Sequence, residues 1–325
     1  MIYEAESDIG DGYFNCAELS SQMKVVTNRI RFAIESKNEL DSEFRQTFPF
    51  LLQSFVTTHD SILAVIRFGN NEKYERPNED IKTNMLHGSD AMSLVREQVE
   101  KVFTVALLCH EPEKWIREYL RDDWKRVYER ELHQKATTGR LERFQHFHNE
   151  EAPFFIEGLR KTSYVTEEEK TVVELQYRDE PIPDKLKDHK IKMFPTPSLV
   201  IDRLKGTTSE AFLRMLYKEY RYICGYTHVG PTKLQLLMIS DRKLGKGISS
   251  HDKELYYRTA IEEPAIITSI TAALAACTEV LRFVPHDVDI LEILISQWEI
   301  LRNGSFLAKS LWDLRAESMF PRLIG

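Results

Sequence analysis

The 325-residue chain is poor in residues that interrupt helices and in signals that mark strands. It has only 13 glycines and 12 prolines, and these gather in a few short stretches. Alternating apolar and polar residues, the pattern typical of a β-strand, are scarce. Only KLQLLMIS alternates, and that segment suits a helix equally well. These absences argue against a β-rich fold and favour long helices joined by distinct loops.

Cysteine is also scarce, and no two cysteines form a C-x-x-C pair. Free thiols in a reducing compartment are therefore expected, and a cytoplasmic location follows. The N-terminus is acidic and lacks the basic and apolar regions of a signal peptide. The most apolar stretch, 265–277, is shorter than the roughly 18 residues that a membrane span needs. We expect it to be a buried helix, and we expect no membrane partner.

Positive charge is not in excess, since the net charge is −7. A generic nucleic-acid coat or a membrane-surface binder is normally basic, so both classes are disfavoured as a description of the whole chain. The aromatic and basic residues of KWIREYLRDDWKRVYERELHQK could bind single-stranded nucleic acid. Acidic residues cancel most of that charge, which favours a solvated amphipathic face.

Several catalytic motifs are missing as well. The chain has no phosphate-binding glycine loop, no G-x-S-x-G, no H-E-x-x-H and no paired Glu-x-x-His. His146 and His148 lie in a polar helical stretch, where alternate residues point apart, so a metal site there is disfavoured. We expect neither a metal nor a cofactor.

Apolar residues recur at helical spacing nearly throughout, which predicts an all-α, multi-helix bundle. A loop-rich inserted arm is predicted around 164–197, where RDEPIPDKLKDHKIKMFPTP carries four prolines, with a short helix over 167–176. Three segments are expected: N-terminal helices over 1–56, a central helical domain over 57–240, and a C-terminal hairpin over 241–325 that packs on the same core.

One predicted helix carries a set of side chains suited to chemistry. Tyr217, Arg221, Cys224 and His228 are spaced by four, three and four residues, which places them on one side of a helix. Arg221 could hold developing negative charge, and His228 could exchange a proton near neutral pH. Apart from Cys224, this stripe has no obvious nucleophile.

Neighbouring residues leave a structural interpretation open beside the functional one. Tyr220 and Tyr226 flank the stripe, and Gly225 suggests a close backbone approach or a local break in the helix. Arginine and tyrosine are also common on half-buried helix faces, and a histidine at a helix C-terminus is favoured by the dipole.

Arg96 and Glu100 lie one turn apart in an apolar row that continues into Phe103. A charged pair in such a row needs partners. Glu100 could orient His228 or neutralise Arg221, or the pair could form a bridge of its own.

Three segments resemble those of an uncharacterised group of mostly bacterial helical proteins, domain of unknown function 5677. They are LVREQVEKVFTVALL, EYLRDDWKRVYERE and PSLVIDRLKG with LYKEYRYICGYTHVG, and the resemblance spans roughly 57–237. Cys224 stands where that group has serine. The resemblance implies a helical domain and adds no activity.

The spacing of Arg221 and His228 also resembles the Arg-x4–6-His signature of HEPN proteins, many of which are metal-independent ribonucleases in toxin and antiviral systems. Tyr222 departs from the polar residue that usually follows the arginine. The resemblance implies that Arg221 and His228 are the catalytic pair, usually completed across a dimer.

Two hypotheses follow. In the first, the chain is an endoribonuclease in which Arg221 and His228 are catalytic, and its partners are RNA and a second copy of the chain. The supporting or binding residues in this hypothesis are Arg96, Glu100, Tyr217, Tyr220, Cys224 and Tyr226. Alternatively, it is a non-enzymatic binding or scaffold protein that docks a partner protein or a small anion, and its charged pairs are structural.

Overall fold

The computed structural model describes residues 14–37, 40–69, 81–138, 157–159, 161–227, 262–284 and 288–324, without the side chains of 67–69, 81–89, 134–138, 226–227 and 321–324. Within these ranges the chain is helical and contains no strand, which confirms the all-α prediction.

Eleven α-helices lie in the ranges that the structure describes. They are α1 (Cys16–Glu35), α2 (Ser42–Gly69), α3 (Ile81–His110), α4 (Pro112–Thr138), α5 (Glu167–Tyr177), α6 (Pro197–Arg203), α7 (Glu210–Thr227), α8 (Glu263–Val280), α9 (Val288–Gly304), α10 (Phe306–Leu311) and α11 (Glu317–Ile324). Short 3₁₀ turns occupy Asp184–His189 and Leu281–Phe283, and a π-helical turn occupies Trp312–Ala316.

Local sequence explains several helix ends. The Asn15 side chain accepts a hydrogen bond from the Glu18 backbone N–H at 3.1 Å and starts α1. Thr166 and Glu169 form a reciprocal capping box at the start of α5. Gly206 has a φ of 79°, a left-handed conformation that glycine adopts without a Cβ penalty, and it follows the end of α6.

The chain folds into two compact units, Met1–His110 with Pro197–Gly325, and Glu111–Thr196. This division differs from the three segments expected from sequence, and residues 56 and 57 both lie within the continuous helix α2. Hydrophobic spacing reveals helices but does not show which of them pack together, so it does not locate such boundaries.

The core of the larger unit is built around α8. From Ala265 to Val280 every residue of α8 is buried, and the helix packs against α1, α2 and α3. Together with the following 3₁₀ turn, α8 forms the apolar segment Glu263–Phe283, which has 21 residues and a mean hydropathy of 1.6. By length and composition this segment could span a membrane. However, 94% of its most apolar 18-residue stretch is buried inside the protein. Its apolar surface is therefore used in packing.

The smaller unit contains the predicted arm and has its own core. The rings of Trp124 and Tyr128 stack with centroids 4.8 Å apart, and the Trp124 indole N–H donates to the Leu159 carbonyl at 2.9 Å. Val165, Val173 and Ile191 complete this core. Because Trp124 and Tyr128 are buried, their rings cannot stack on bases, and the proposed aromatic–basic face loses both of them.

Candidate functional site

Helix α7 carries most of the predicted site. At its start, the Glu210 carboxylate accepts from the Gly206 backbone N–H at 2.7 Å and from Arg214 Nε at 2.8 Å. One face of the helix buries Phe212, Leu213, Leu216 and Ile223. Because α7 packs against α3, this apolar face fixes the rotation of the helix and so decides which of its polar residues reach solvent.

Two tyrosines of α7 meet α3 through Phe103. The ring centroids of Tyr217 and Tyr220 each lie 6.3 Å from the centroid of Phe103, in edge-to-face geometry. The two tyrosine rings stack on each other with centroids 5.9 Å apart. Aromatic pairs in these geometries contribute about 0.5–1.5 kcal/mol beyond area burial, so the tyrosines help to hold α7 on α3.

Polar residues of both helices surround the Tyr220 hydroxyl. The pKa of Tyr220 is raised to about 12, first by burial, then by the negative charge of Glu100 and by the neighbouring Cys224, while Arg96 opposes the rise. A hydrogen bond with Cys224 adds to the increase. The phenol therefore stays protonated at neutral pH and acts as a hydrogen-bond donor. The structure thus brings together Arg96, Glu100, Tyr220 and Cys224, although Glu100 acts on Tyr220 rather than on Arg221.

A bridge between Arg96 and Glu100, the structural interpretation of that pair, is not present. Both residues are described and half-buried, and no ion pair joins them. The Arg96 Nε atom is buried without a hydrogen-bond partner. Arg96 forms no ion pair in the ranges that the structure describes, and its charge acts on Tyr220 where α3 meets α7.

The residues predicted to share one side of α7 differ in their exposure to solvent. Tyr217 and Cys224 are half-buried, whereas Arg221 is exposed. The helix passes Gly225 and continues to Thr227, so of the two possibilities at Gly225 the local break does not occur. His228 lies outside the described residues, as does the side chain of Tyr226, and the relation of His228 to Arg221 stays a prediction.

A buried polar network that the sequence did not reveal joins four helices of the larger unit. His59 of α2 has no exposed surface, and its Nδ1 and Nε2 atoms each lie 2.9 Å from a serine Oγ, that of Ser269 in α8 and that of Ser20 in α1. Gln98 of α3 donates to Ser269 Oγ at 3.0 Å and to the Phe55 carbonyl at 2.8 Å. A neutral imidazole fits these contacts, because one ring nitrogen can donate to a serine hydroxyl while the other accepts from one.

The environment of His59 keeps it neutral. Its pKa is lowered to about 4, chiefly by burial and then by the positive charge of Lys24, while Asp60 opposes the shift. Lys24 and Asp60 themselves form an ion pair between α1 and α2. His59 is thus a satisfied core residue with no face open to a ligand.

A second buried polar contact joins the C-terminal π-helical turn to α8. Arg315 binds the Glu279 carboxylate through two parallel bonds, from Nε at 2.6 Å and from Nη2 at 2.9 Å. Its Nη1 donates to the Thr208 hydroxyl at 2.6 Å, just before α7 begins. The exposed fractions of the two charged side chains are only 7% and 1%. The pair therefore helps to fix the start of α7.

In the ranges that the structure describes, no three His, Cys, Asp or Glu side chains group as ion ligands. His146 and His148 lie outside the described residues.

No family model, curated protein or solved structure matches the chain.

Proposed function

We propose that the protein is a metal-independent, HEPN-like endoribonuclease in which Arg221 and His228 form the catalytic pair. The observation that carries the proposal is the exposed guanidinium of Arg221 on a helix that continues without a break to Thr227, the residue before His228. Arg221 forms no ion pair within the described part of the chain, so its full charge is available to a phosphate.

The proposed chemistry uses these two groups in separate roles. His228 takes the proton from a ribose 2′-hydroxyl, whose oxygen then attacks the adjacent phosphorus. Arg221 stabilises the negative charge of the pentacovalent phosphate. The bond from phosphorus to the 5′-oxygen breaks, and that oxygen receives a proton as it leaves, so no metal is needed. A second copy of the chain would complete the site, as the HEPN resemblance implies.

The polar cluster on α3 and α7 has a supporting role in this proposal. Tyr220 is a protonated donor beside Glu100 and Cys224, and Arg96 adds positive charge on the neighbouring helix. Arg96 and Tyr220 are therefore placed to orient bound anionic substrate, while Tyr217 holds the helix through Phe103.

Cleavage of RNA in the presence of EDTA tests the proposal. His228→Ala and Arg221→Ala are each expected to lower the cleavage rate by about 10²–10⁴-fold, the usual contribution of a general base or of a charge-stabilising group. His110→Ala, at the exposed end of α3, is the matched control and should cleave like wild type. Equal rates for wild type and His228→Ala would remove the ribonuclease proposal.

The second candidate is a non-enzymatic binding protein for a small anion or a partner protein. The packing of Tyr217 and Tyr220 on Phe103 favours it, because those side chains also serve to join two helices. Here His228→Ala should lower the melting temperature without any activity to lose. An unchanged melting temperature would count against this alternative.

A further inference from the structure

The outward face of α7 carries a row of cations. Arg214, Lys218 and Arg221 are all exposed, and their spacings of four and three residues place them within an arc of about 60°. Along the helix axis they are separated by about 6 Å and about 4.5 Å, since each residue rises about 1.5 Å. We call these three residues the basic stripe.

Acidic residues do little to neutralise the basic stripe. Glu210 pairs with Arg214 at the first turn, where Lys205 also faces it. Glu219 projects toward the packed side, and burial raises its pKa. Neither Lys218 nor Arg221 forms an ion pair in the ranges that the structure describes. Two cations with no acidic partner in those ranges therefore lie together on a chain whose net charge is −7.

An aromatic side chain lies beside the row. Tyr222 follows Arg221 directly and is 56% exposed, although tyrosine usually buries most of its ring. Surfaces that bind single-stranded nucleic acid combine a line of positive charge along the backbone with aromatic rings on which bases stack. The basic stripe with Tyr222 has both components.

We propose that the basic stripe binds the sugar–phosphate backbone of single-stranded RNA, with Lys218 and Arg214 holding phosphates next to the one at Arg221 and with a base stacked on Tyr222. This inference rests on the proposed ribonuclease function, and it adds the form and path of the substrate. A single convex helix face with one row of cations follows one strand, whereas proteins that bind duplex RNA contact its minor groove across two strands. The exposed ring favours RNA over an acidic protein segment, which offers charge but no bases.

The test measures binding separately from cleavage. In the His228→Ala background, the affinity for a fluorescein-labelled single-stranded RNA is measured by anisotropy at several salt concentrations. Lys218→Ala should weaken binding about three- to tenfold and reduce the slope of log affinity against log salt by about 0.7, the value for one phosphate contact on a single strand. Lys218→Arg should restore both quantities.

Arg29→Ala is the matched control, since Arg29 is an exposed cation on α1, which packs on α2, α8 and α9. It should leave the affinity and the slope unchanged. Tyr222→Leu should weaken binding of single-stranded RNA without changing the salt slope, because it removes stacking and no charge. A blunt RNA duplex and a glutamate-rich peptide should bind more weakly than the single strand.

The outcomes separate the two proposals. If wild type cleaves RNA in EDTA but Lys218→Ala binds as tightly as its parent, the basic stripe is refuted and the ribonuclease remains. If the Lys218 effects appear but wild type does not cleave, the ribonuclease is refuted and the RNA surface remains. Tighter binding of the duplex or of the acidic peptide, equal losses for Arg29→Ala, or no binding at all would each overturn the basic stripe.

Discussion

Acidification should destabilise the protein through His59. In the folded chain the pKa of this histidine is about 4, against 6.5 for an ordinary histidine, because the imidazole is buried among Ser20, Ser269 and Gln98. The unfolded chain therefore binds a proton that the folded chain does not bind between these two values. The stabilising contribution is complete above pH 6.5 and is lost as the pH falls toward 4.

The size of the effect follows from the two pKa values. A difference of about 2.5 pKa units corresponds to roughly 3 kcal/mol when both limits are reached, and to about 2 kcal/mol at pH 5. A domain is stable by only about 5–15 kcal/mol, so this single group should shift a denaturation midpoint measurably.

The assay is urea denaturation followed by circular dichroism at pH values from 7.5 to 4.5, with wild type beside His59→Gln. The variant should be less stable at neutral pH by about 1–3 kcal/mol, because the serines lose their partners, but its stability should fall less steeply on acidification. Carboxylates titrate in both proteins, so the difference between the two curves isolates His59. Parallel curves between pH 7 and 4.5 would refute the reasoning.

Two further predictions concern buried and accessible groups. Arg315→Met should lower the free energy of unfolding by about 3–5 kcal/mol in chemical denaturation, since it leaves Glu279 charged and unpaired in the core. Lys309→Ala breaks the exposed ion pair with Asp313 and should lower the free energy of unfolding by less than about 1 kcal/mol. Similar losses for both variants would contradict the argument that burial makes the difference. In a thiol-labelling time course on the native protein, Cys224 should react before the other cysteines, because it is half-buried and the other three are buried. Burial also raises the pKa of Cys277 to about 12, which slows its reaction. Cys224→Ser should remove the fast phase of labelling, and a fast phase that persists in this variant would refute the assignment.

Much of the candidate site could be predicted from helical spacing alone. Spacing placed Tyr217, Arg221 and Cys224 on neighbouring parts of one helix, and it placed Arg96 one turn from Glu100, because side chains three and four residues apart share a helix face. The same local rule makes the basic stripe readable at Arg214, Lys218 and Arg221, although its significance depends on which face reaches solvent. Exposure is decided by the partner helix, so the division between half-buried Tyr220 and exposed Arg221 could not be read from the chain.

The cross-helix partners were beyond a local rule. His59 meets serines from α1 and α8, and Glu279 meets Arg315 from a later helical turn, 36 residues further along the chain. Glu100 could have oriented His228, neutralised Arg221 or bridged Arg96; its charge acts on Tyr220, and its relation to His228 stays a prediction. Such pairs depend on how whole helices rotate and slide against each other. The same set of helices could pack in several arrangements, and each arrangement would bring different residues into contact.

By itself, the sequence determined the helical character of the chain, the caps at Asn15 and Thr166 and the left-handed turn at Gly206, because each depends on hydrogen bonds and sterics within a few residues. Only the tertiary structure decided that α8 is buried on all sides, that His59 is neutral in the core and that α7 presents cations to solvent. Those properties arise from the apolar surface that helices bury against one another, and this surface is shared by residues far apart in the chain.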